Sequence, residues 1–313
     1  MKKILVTGGS GFVGAAVVRL LLEQGCKVAL LLRPSSNTRR IDDLLAQCTV
    51  IRGDLSKLED IRTDLTEFSP HTVVHLAWDG VKGADRNSSV QMKNVVNSIS
   101  LYCLTEQIGC AQFVGLGSQA EYGQVVGRIS ETTATHPTTA YGAAKLATSL
   151  ILERSAAASG RPFAWLRLFS SYGPDDDPSW MISYLIRSLL AGERPSLTKA
   201  EQFWDYIHVN DVASGIVAAV NSNARGFFNI GSGNAQSLRE IISMIRDAID
   251  PSLSLGFGEL PYRPDQVMHL EADINALSSA TGWFPRISFE SGIAETVEWH
   301  RQAANKNHPQ PIN

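Results

Sequence analysis

The chain has 313 residues, 44% of them hydrophobic and 19% charged, with a net charge of -3 at neutral pH. That length suits one large domain or two joined ones with a sizeable core. Nothing in the composition or charge suggests a polyanion-binding surface or a disordered acidic tail, so nucleic acid is not an expected partner. Cys26, Cys48, Cys103 and Cys110 show no metal-type pairing and read as reduced core thiols. The opening MKKILVTGGSG has two lysines like a leader, but its apolar run breaks at glycine almost at once. No apolar stretch approaches the roughly 20 residues of a spanning helix. The expectation is a soluble, cytoplasmic protein with no membrane contact.

In chain order, KILVT, KVALLL, TVIRGD, TVVHLA, QFVGLGS and PFAWLRLF are predicted strands. Their near-continuous apolar character suits strands covered on both faces. Between the first two, Phe12 to Gln24 puts Val13, Ala16, Val17, Leu20 and Leu21 on one helical stripe, closed by Gly25. The βαβ alternation predicts an α/β fold, a Rossmann-type doubly wound parallel sheet. After SSYGPDDDP the regularity loosens, and GFFNI returns late as a strand. We expect a dinucleotide-binding domain over 1–173, with 211–230 crossing back to it. A smaller α/β substrate domain would take 174–210 and 231–313, leaving a cleft beyond the strand C-termini. Asp177 before Pro178 reads as an N-cap and first helical residue, and the tail QAANKNHPQPIN as a frayed end. The scattered histidines form no ligand spacing, so no metal is expected.

ILVTGGSGFVG carries two glycine registers, Gly9-x-Gly11-x-x-Gly14 and Gly8-x-x-Gly11-x-x-Gly14, between a strand and a capped helix. Glycines there permit the turn and let a pyrophosphate approach the helix N-terminus, so the stretch predicts dinucleotide binding. An acid ending the second strand would hold the ribose hydroxyls of NAD, but the chain reads LLLRPSSNTRR there. Arg33 instead offers a guanidinium to a 2′-phosphate, with Ser35, Ser36, Arg39 and Arg40 near enough in sequence to help. NADP(H) is therefore favoured, with NAD(H) as the alternative. Tyr141 and Lys145 lie four apart, so on a helix the ammonium would sit beside the phenol and bring its pKa toward the working range. Ser118 closes the predicted fifth strand.

With these pieces in place the chain resembles the extended short-chain dehydrogenase/reductases, the sugar-nucleotide epimerase/dehydratase family. The matching stretches are TGGSGFVG, GDL (Asp54, Leu55), HLA (His75 to Ala77), Asn94, GSQAEYG, YGAAK, RLFSSYGP, DYIHVND and NIGSG, in the family's order across most of the chain. The resemblance implies that Ser118 hydrogen-bonds the reacting oxygen, that Tyr141 carries the proton and that Lys145 also holds the nicotinamide ribose. It implies cofactor contacts from Gly8, Gly11, Phe12, Val13, Gly14, Arg33, Asp54, Leu55, Leu76, Ala77, Asn94, Tyr141, Lys145 and Phe169. Substrate contacts would come from Ser118, Gln119, Ser170 and Arg263, the last clamping a diphosphate with help from Arg187 or Arg194. A homodimer packed through helices around 88–108 and 139–158 is likewise implied.

Three departures from the family matter. Its 4,6-dehydratases carry Asp and Glu directly after the catalytic hydroxyl, where this chain has Gln119 and Ala120, which cannot exchange a proton at neutral pH. Glu121 comes one place later and, on a strand-like stretch, would face away. Ser170 stands where the family often has Asn, and Trp204 where it has Arg. Trp180 and Trp204 read as core of the small domain. The leading expectation is an NADPH-dependent reductase of a nucleoside-diphosphate 4-keto-6-deoxyhexose or close relative. The alternatives are a sugar-nucleotide epimerase with a retained cofactor and, from another class, a non-catalytic NADP-sensing protein.

Overall fold

The computed structural model describes residues 1–262 and 266–307. In chain order its first half comprises β1 (Lys3–Thr7), α1 (Phe12–Glu23), β2 (Lys27–Leu32), β3 (Thr49–Arg52), α2 (Arg62–Phe68), β4 (Thr72–His75), α3 (Val90–Gln107), β5 (Gln112–Ser118), β6 (Arg128–Ile129), α4 (Ala140–Ser159) and β7 (Phe163–Leu168). There follow β8 (Ser170–Tyr172), α5 (Met181–Leu190), β9 (Phe203–Trp204), β10 (Tyr206–His208), α6 (Val209–Ser222), β11 (Gly226–Ile230), β12 (Gln236–Ser237), α7 (Leu238–Ile249), β13 (His269–Ala272), α8 (Asn275–Thr281) and α9 (Phe289–Asn307). Among the described residues no helix is long and apolar enough to cross a membrane.

All seven strands of the main sheet run parallel, in the order β11-β7-β5-β4-β1-β2-β3. Because side chains alternate along a strand, β1 sends Ile4 and Val6 into one core and Leu5 into another. The same alternation sends Val114 of β5 to the first core and Phe113 to the second. Both faces are thereby covered, which is why the strands read as unbroken apolar runs. The sheet order reverses around β1 and β4, the place where an open α/β sheet receives its ligand.

On α1 the buried face is Gly14, Ala15, Val17, Val18 and Leu21, while Val13, Ala16 and Leu20 are only half-buried. The stripe expected from spacing is rotated because α1 packs against α6 as well as the sheet. Gly25 does close the helix, at φ 72°. A third core under α5, α7 and α9 is built from Ile182, Leu185, Ile241, Ile245, Ile293 and Val297. Of the tail expected to fray, residues 302–307 continue α9, since Ile293 and Val297 anchor that helix in this core, while 308–313 lie outside the described residues. The 119–121 segment is a 3-10 turn, not an extension of β5.

Candidate functional site

The turn between β1 and α1 folds back on itself, with the Gly11 amide donating to the Gly8 carbonyl at 3.0 Å. Gly8 has φ 73°, and a side-chain carbon on it would stand 2.6 Å from the Ala77 amide. One on Gly14 would stand 2.0 Å from the Gly8 carbonyl oxygen, so both glycines are required for the turn to close. No side chain caps α1, which leaves its first amides free to receive an anion. Gly9 instead packs toward Leu30 and Val18, so the register that faces the cavities is Gly8, Gly11 and Gly14.

Two connected cavities lie beyond the strand ends. The smaller, about 240 Å³, is lined by Gly8, Gly11, Arg33, Asp54, Leu55, Leu76, Ala77 and Asn94, together with Trp78 and Asp79. The larger, about 560 Å³, is lined by Gly8, Gly11, Phe12, Val13, Gly14, Leu76, Ser118, Gln119, Tyr141, Lys145, Phe169 and Ser170. The two share Gly8, Gly11, Leu76 and Trp78. The catalytic triad, the glycine loop and the other cofactor contacts expected from sequence all face this cleft, as do Gln119 and Ser170, while Arg263 lies outside the described residues and Ser35 lines neither cavity. The cradle, the free helix amides and a cleft passing from Arg33 to Tyr141 fit a nicotinamide dinucleotide.

Ser118 ends β5, and its hydroxyl accepts from the Ala120 amide at 3.2 Å. Tyr141 opens α4, whose N-cap Thr139 accepts from the Gly142 amide at 3.1 Å. Tyr141 and Ser118 both line the larger cavity, and the Ser118 side chain favours the ionised form of the Tyr141 phenol. Lys145, buried one turn further along α4, donates to the Leu116 carbonyl at 2.5 Å and lies 3.8 Å from the centre of the Trp78 ring. Burial pulls its pKa down to about 7, opposed by the charge of Glu121. Burial pushes the Tyr141 phenol above its ordinary value, against the Ser118 side chain and the field of Arg86. The sequence expectation that Lys145 is the cation lowering this phenol is therefore corrected. The ammonium turns toward Leu116 and Trp78, and the Arg86 guanidinium sits 4.5 Å from the Tyr141 ring centre.

Glu121 is fully buried under the sheet, where its carboxylate accepts from the Ser118 amide, Trp165 Nε1 and Arg167 Nε, each at 2.9 Å. It faces away from the cavity as expected, but through the 3-10 turn. His75 ends β4, and its ring lies between Thr7 Oγ1 at 2.7 Å and Ser98 Oγ at 2.8 Å. Burial holds it neutral, with its pKa pushed down to about 3.

On the far wall Trp204 Nε1 donates to Ser170 Oγ at 2.7 Å, so the two departures from the family pattern are hydrogen-bonded to each other. Trp180 is not core, being 44% exposed at the cleft, whereas Trp204 is half-buried and packs against the first and third cores while also lining the larger cavity. Arg187 and Arg194 line neither cavity; Arg194 is paired with Glu259. Arg39 and Arg40 do not accompany Arg33 but bind Asp175, Arg40 through its carbonyl at 2.9 Å. Asp177 does not cap α5, which starts at Met181 after Trp180. It accepts from the Ser179 amide and hydroxyl and pairs with Lys82. Its neighbour Asp176 lines the cavity, and burial pushes its carboxyl up to about 7.

Sequence reasoning missed Trp78, Asp79, Lys82, Arg86, Asp176 and Tyr206 as cleft residues, and placed Arg40 beside Arg33 rather than in the larger cavity. The only signal was position, since the first four follow HLA, the stretch that ends β4.

The sequence profile of the NAD dependent epimerase/dehydratase family matches residues 4–231. The chain belongs to that family. A UDP-glucose 4-epimerase from Corynebacterium glutamicum is 29% identical over 304 residues, covering 90% of this chain and 91% of the relative. A dTDP-glucose 4,6-dehydratase from Salmonella typhimurium is 25% identical, covering 95% and 92%. The UDP-glucose 4-epimerase of Thermus thermophilus, solved in complex with NAD, superposes with a TM-score of 0.84 at 26% identity, covering 96% of this chain and 99% of that one. Membership establishes an enzyme of the extended short-chain dehydrogenase/reductase type, within a family that takes sugar nucleotides and a nicotinamide cofactor.

Proposed function

We propose that this family member is an NADPH-dependent reductase of the keto group in a nucleoside-diphosphate 4-keto-6-deoxyhexose or a close relative. The observation that carries the reading is Ser118, Tyr141 and Lys145 lining one cavity, beside a Gln119 and an Ala120 that cannot protonate a leaving hydroxyl. When bound, the nicotinamide supplies hydride to the carbonyl carbon. Tyr141 then gives its hydroxyl proton to the carbonyl oxygen, which Ser118 holds by hydrogen bond. Lys145, one turn along α4, would hold the nicotinamide ribose, and Arg86 is the cation beside the phenol. Arg40, Lys82 and Arg86 line the cavity and provide the cations that a diphosphate needs where Trp204 replaces arginine. In this reading residues 1–173 with 211–230 hold the cofactor, and 174–210 with 231–313 hold the sugar nucleotide. The largely exposed Met92 and Val96 of α3 and Leu150 and Ile151 of α4 support a homodimer through those helices.

A second reading, a sugar-nucleotide epimerase with a retained cofactor, is favoured by the relatives named above and by the engagement of Arg33 with Asp79. One experiment separates them: keto and non-keto nucleotide sugars are offered with each nicotinamide cofactor, and nicotinamide absorbance and product stereochemistry are followed. Stoichiometric NADPH consumption with a 4-keto substrate supports the reductase. Interconversion of 4-hydroxy epimers without net cofactor consumption establishes the epimerase instead. A product lighter by one water would overturn the argument from Gln119 and Ala120.

A further inference from the structure

Arg33 follows β2 and Asp79 follows β4, and these strands flank β1 on either side. Their side chains meet across the glycine turn, Arg33 Nη1 donating to Asp79 Oδ2 at 2.9 Å and Nη2 to Oδ1 at 3.2 Å. Both line the smaller cavity. The carboxylate is placed by its main chain: the Asp79 amide donates to Asn94 Oδ1 at 3.2 Å, and Asn94 Nδ2 donates to the Asp79 carbonyl at 2.8 Å. Among the described residues lining this cavity Arg33 is the only cation, and Asp54 and Asp79 are the acids. Asp54 is held ionised by the Ser56 amide and hydroxyl, which pull its pKa below the ordinary carboxylate value.

We propose that Asp79 sets the cofactor selectivity of this enzyme by competing with the cofactor's 2′-phosphate for Arg33. The inference rests on the reading of Arg33 as the 2′-phosphate contact. To bind NADPH the protein must open a bidentate ion pair and place a dianion beside the carboxylate it has displaced. NADH, with a ribose hydroxyl at that place, does neither. Asp79 therefore weakens NADP(H) selectively, and a reductase that exchanges its cofactor every turnover gains release from that competition. The pair is half-exposed on both sides, so its opening is worth about fivefold at most, and removal of the adjacent charge adds to this.

The test titrates cofactor-free protein with NADPH, NADH, 2′,5′-ADP and ADP by fluorescence and calorimetry, at fixed ionic strength, with melting curves for each variant. In Asp79→Asn, NADPH and 2′,5′-ADP should bind about three- to tenfold more tightly, with NADH and ADP within about twofold of wild type. Asp79→Ser frees the same guanidinium and keeps the main-chain bonds from Asn94, so it should shift the ratio likewise. Arg33→Leu should weaken NADPH alone. If both Asp79 variants leave the NADPH:NADH ratio at its wild-type value while Arg33→Leu collapses it, the proposal is overturned and the Arg33 reading stands. If Arg33→Leu leaves the ratio unchanged, the Arg33 reading fails and the proposal fails with it.

Discussion

Replacing Glu121 by Gln tests whether the carboxylate nearest the missing dehydratase pair serves structure or chemistry. In the folded protein Glu121 is fully buried and pairs with Arg167, itself only 4% exposed. Arg167 also donates to the Tyr122 hydroxyl at 3.0 Å and packs over the Phe227 ring at 4.8 Å, so it cannot reach water without opening the sheet. Neutralising one partner of such a pair leaves the other charge buried and costs about 3–5 kcal/mol. For a chain of 313 residues, at the usual unfolding entropy per residue, that lowers Tm by about 5–8 °C. Turnover per folded molecule should fall well short of the roughly 10²–10⁴-fold loss that follows removal of a general acid or base. The amide side chain can still accept from Ser118 and Trp165. The double variant Glu121→Gln with Arg167→Met should regain much of the lost stability, because it removes the orphaned charge. Calorimetry and steady-state rates on the same preparations check both halves. A Glu121→Gln protein that melts with the wild type yet turns over a thousandfold more slowly would refute the structural assignment.

Tyr141→Phe should bind cofactor nearly as wild type does, by fluorescence titration, and lose turnover by about a hundredfold or more; full activity removes Tyr141 from the mechanism. Arg86→Leu takes away the cation over the Tyr141 ring and so raises the phenol pKa further. The phenol is the proton donor in reduction, so the alkaline limb of the reductive kcat profile should move to higher pH, and an unmoved limb disconnects Arg86 from Tyr141. His75 has its folded pKa depressed to about 3, so as pH falls below the unfolded value of about 6.5 the unfolded state takes up the proton first. Stability should fall by about 2 kcal/mol between pH 7 and pH 5 from this group, and His75→Gln should remove that slope in urea melts. An identical slope in the variant places the acid sensitivity elsewhere.

The main strands were legible because each is covered on both faces and reads as an unbroken apolar run, and Gly226–Ile230 was legible for the same reason despite its late place in the chain. The glycine turn, Ser118, Tyr141 and Lys145 were legible because their chemistry depends on local spacing or on the end of a strand. What resisted reading depends on which loops meet beyond the sheet. Nothing in LLRPSS or HLAWDG announces that Arg33 reaches Asp79, or in GADRN that Arg86 covers Tyr141. Asp177 followed by proline carries a helix-start signal, yet its carboxylate is taken by Ser179 and Lys82, and the helix begins after Trp180. A strand pattern over QAEYG was equally misleading, since the buried Arg167 draws Glu121 under the sheet and tightens the chain into a 3-10 turn.

The placing of β11 has a consequence for how the chain is made. It pairs with β7 through five residues and forms the outermost strand on that side of the sheet. During synthesis β7 emerges with one edge of unpaired amides and carbonyls, and its covering strand follows roughly sixty residues later. At about 5–20 residues per second that edge stays open for about 3–12 s. An open edge templates pairing with other chains, so this interval is when a crowded ribosome is most exposed to losing product to aggregation. A truncated chain ending before Gly226 should accordingly accumulate in inclusion bodies, whereas the full chain should partition toward the supernatant.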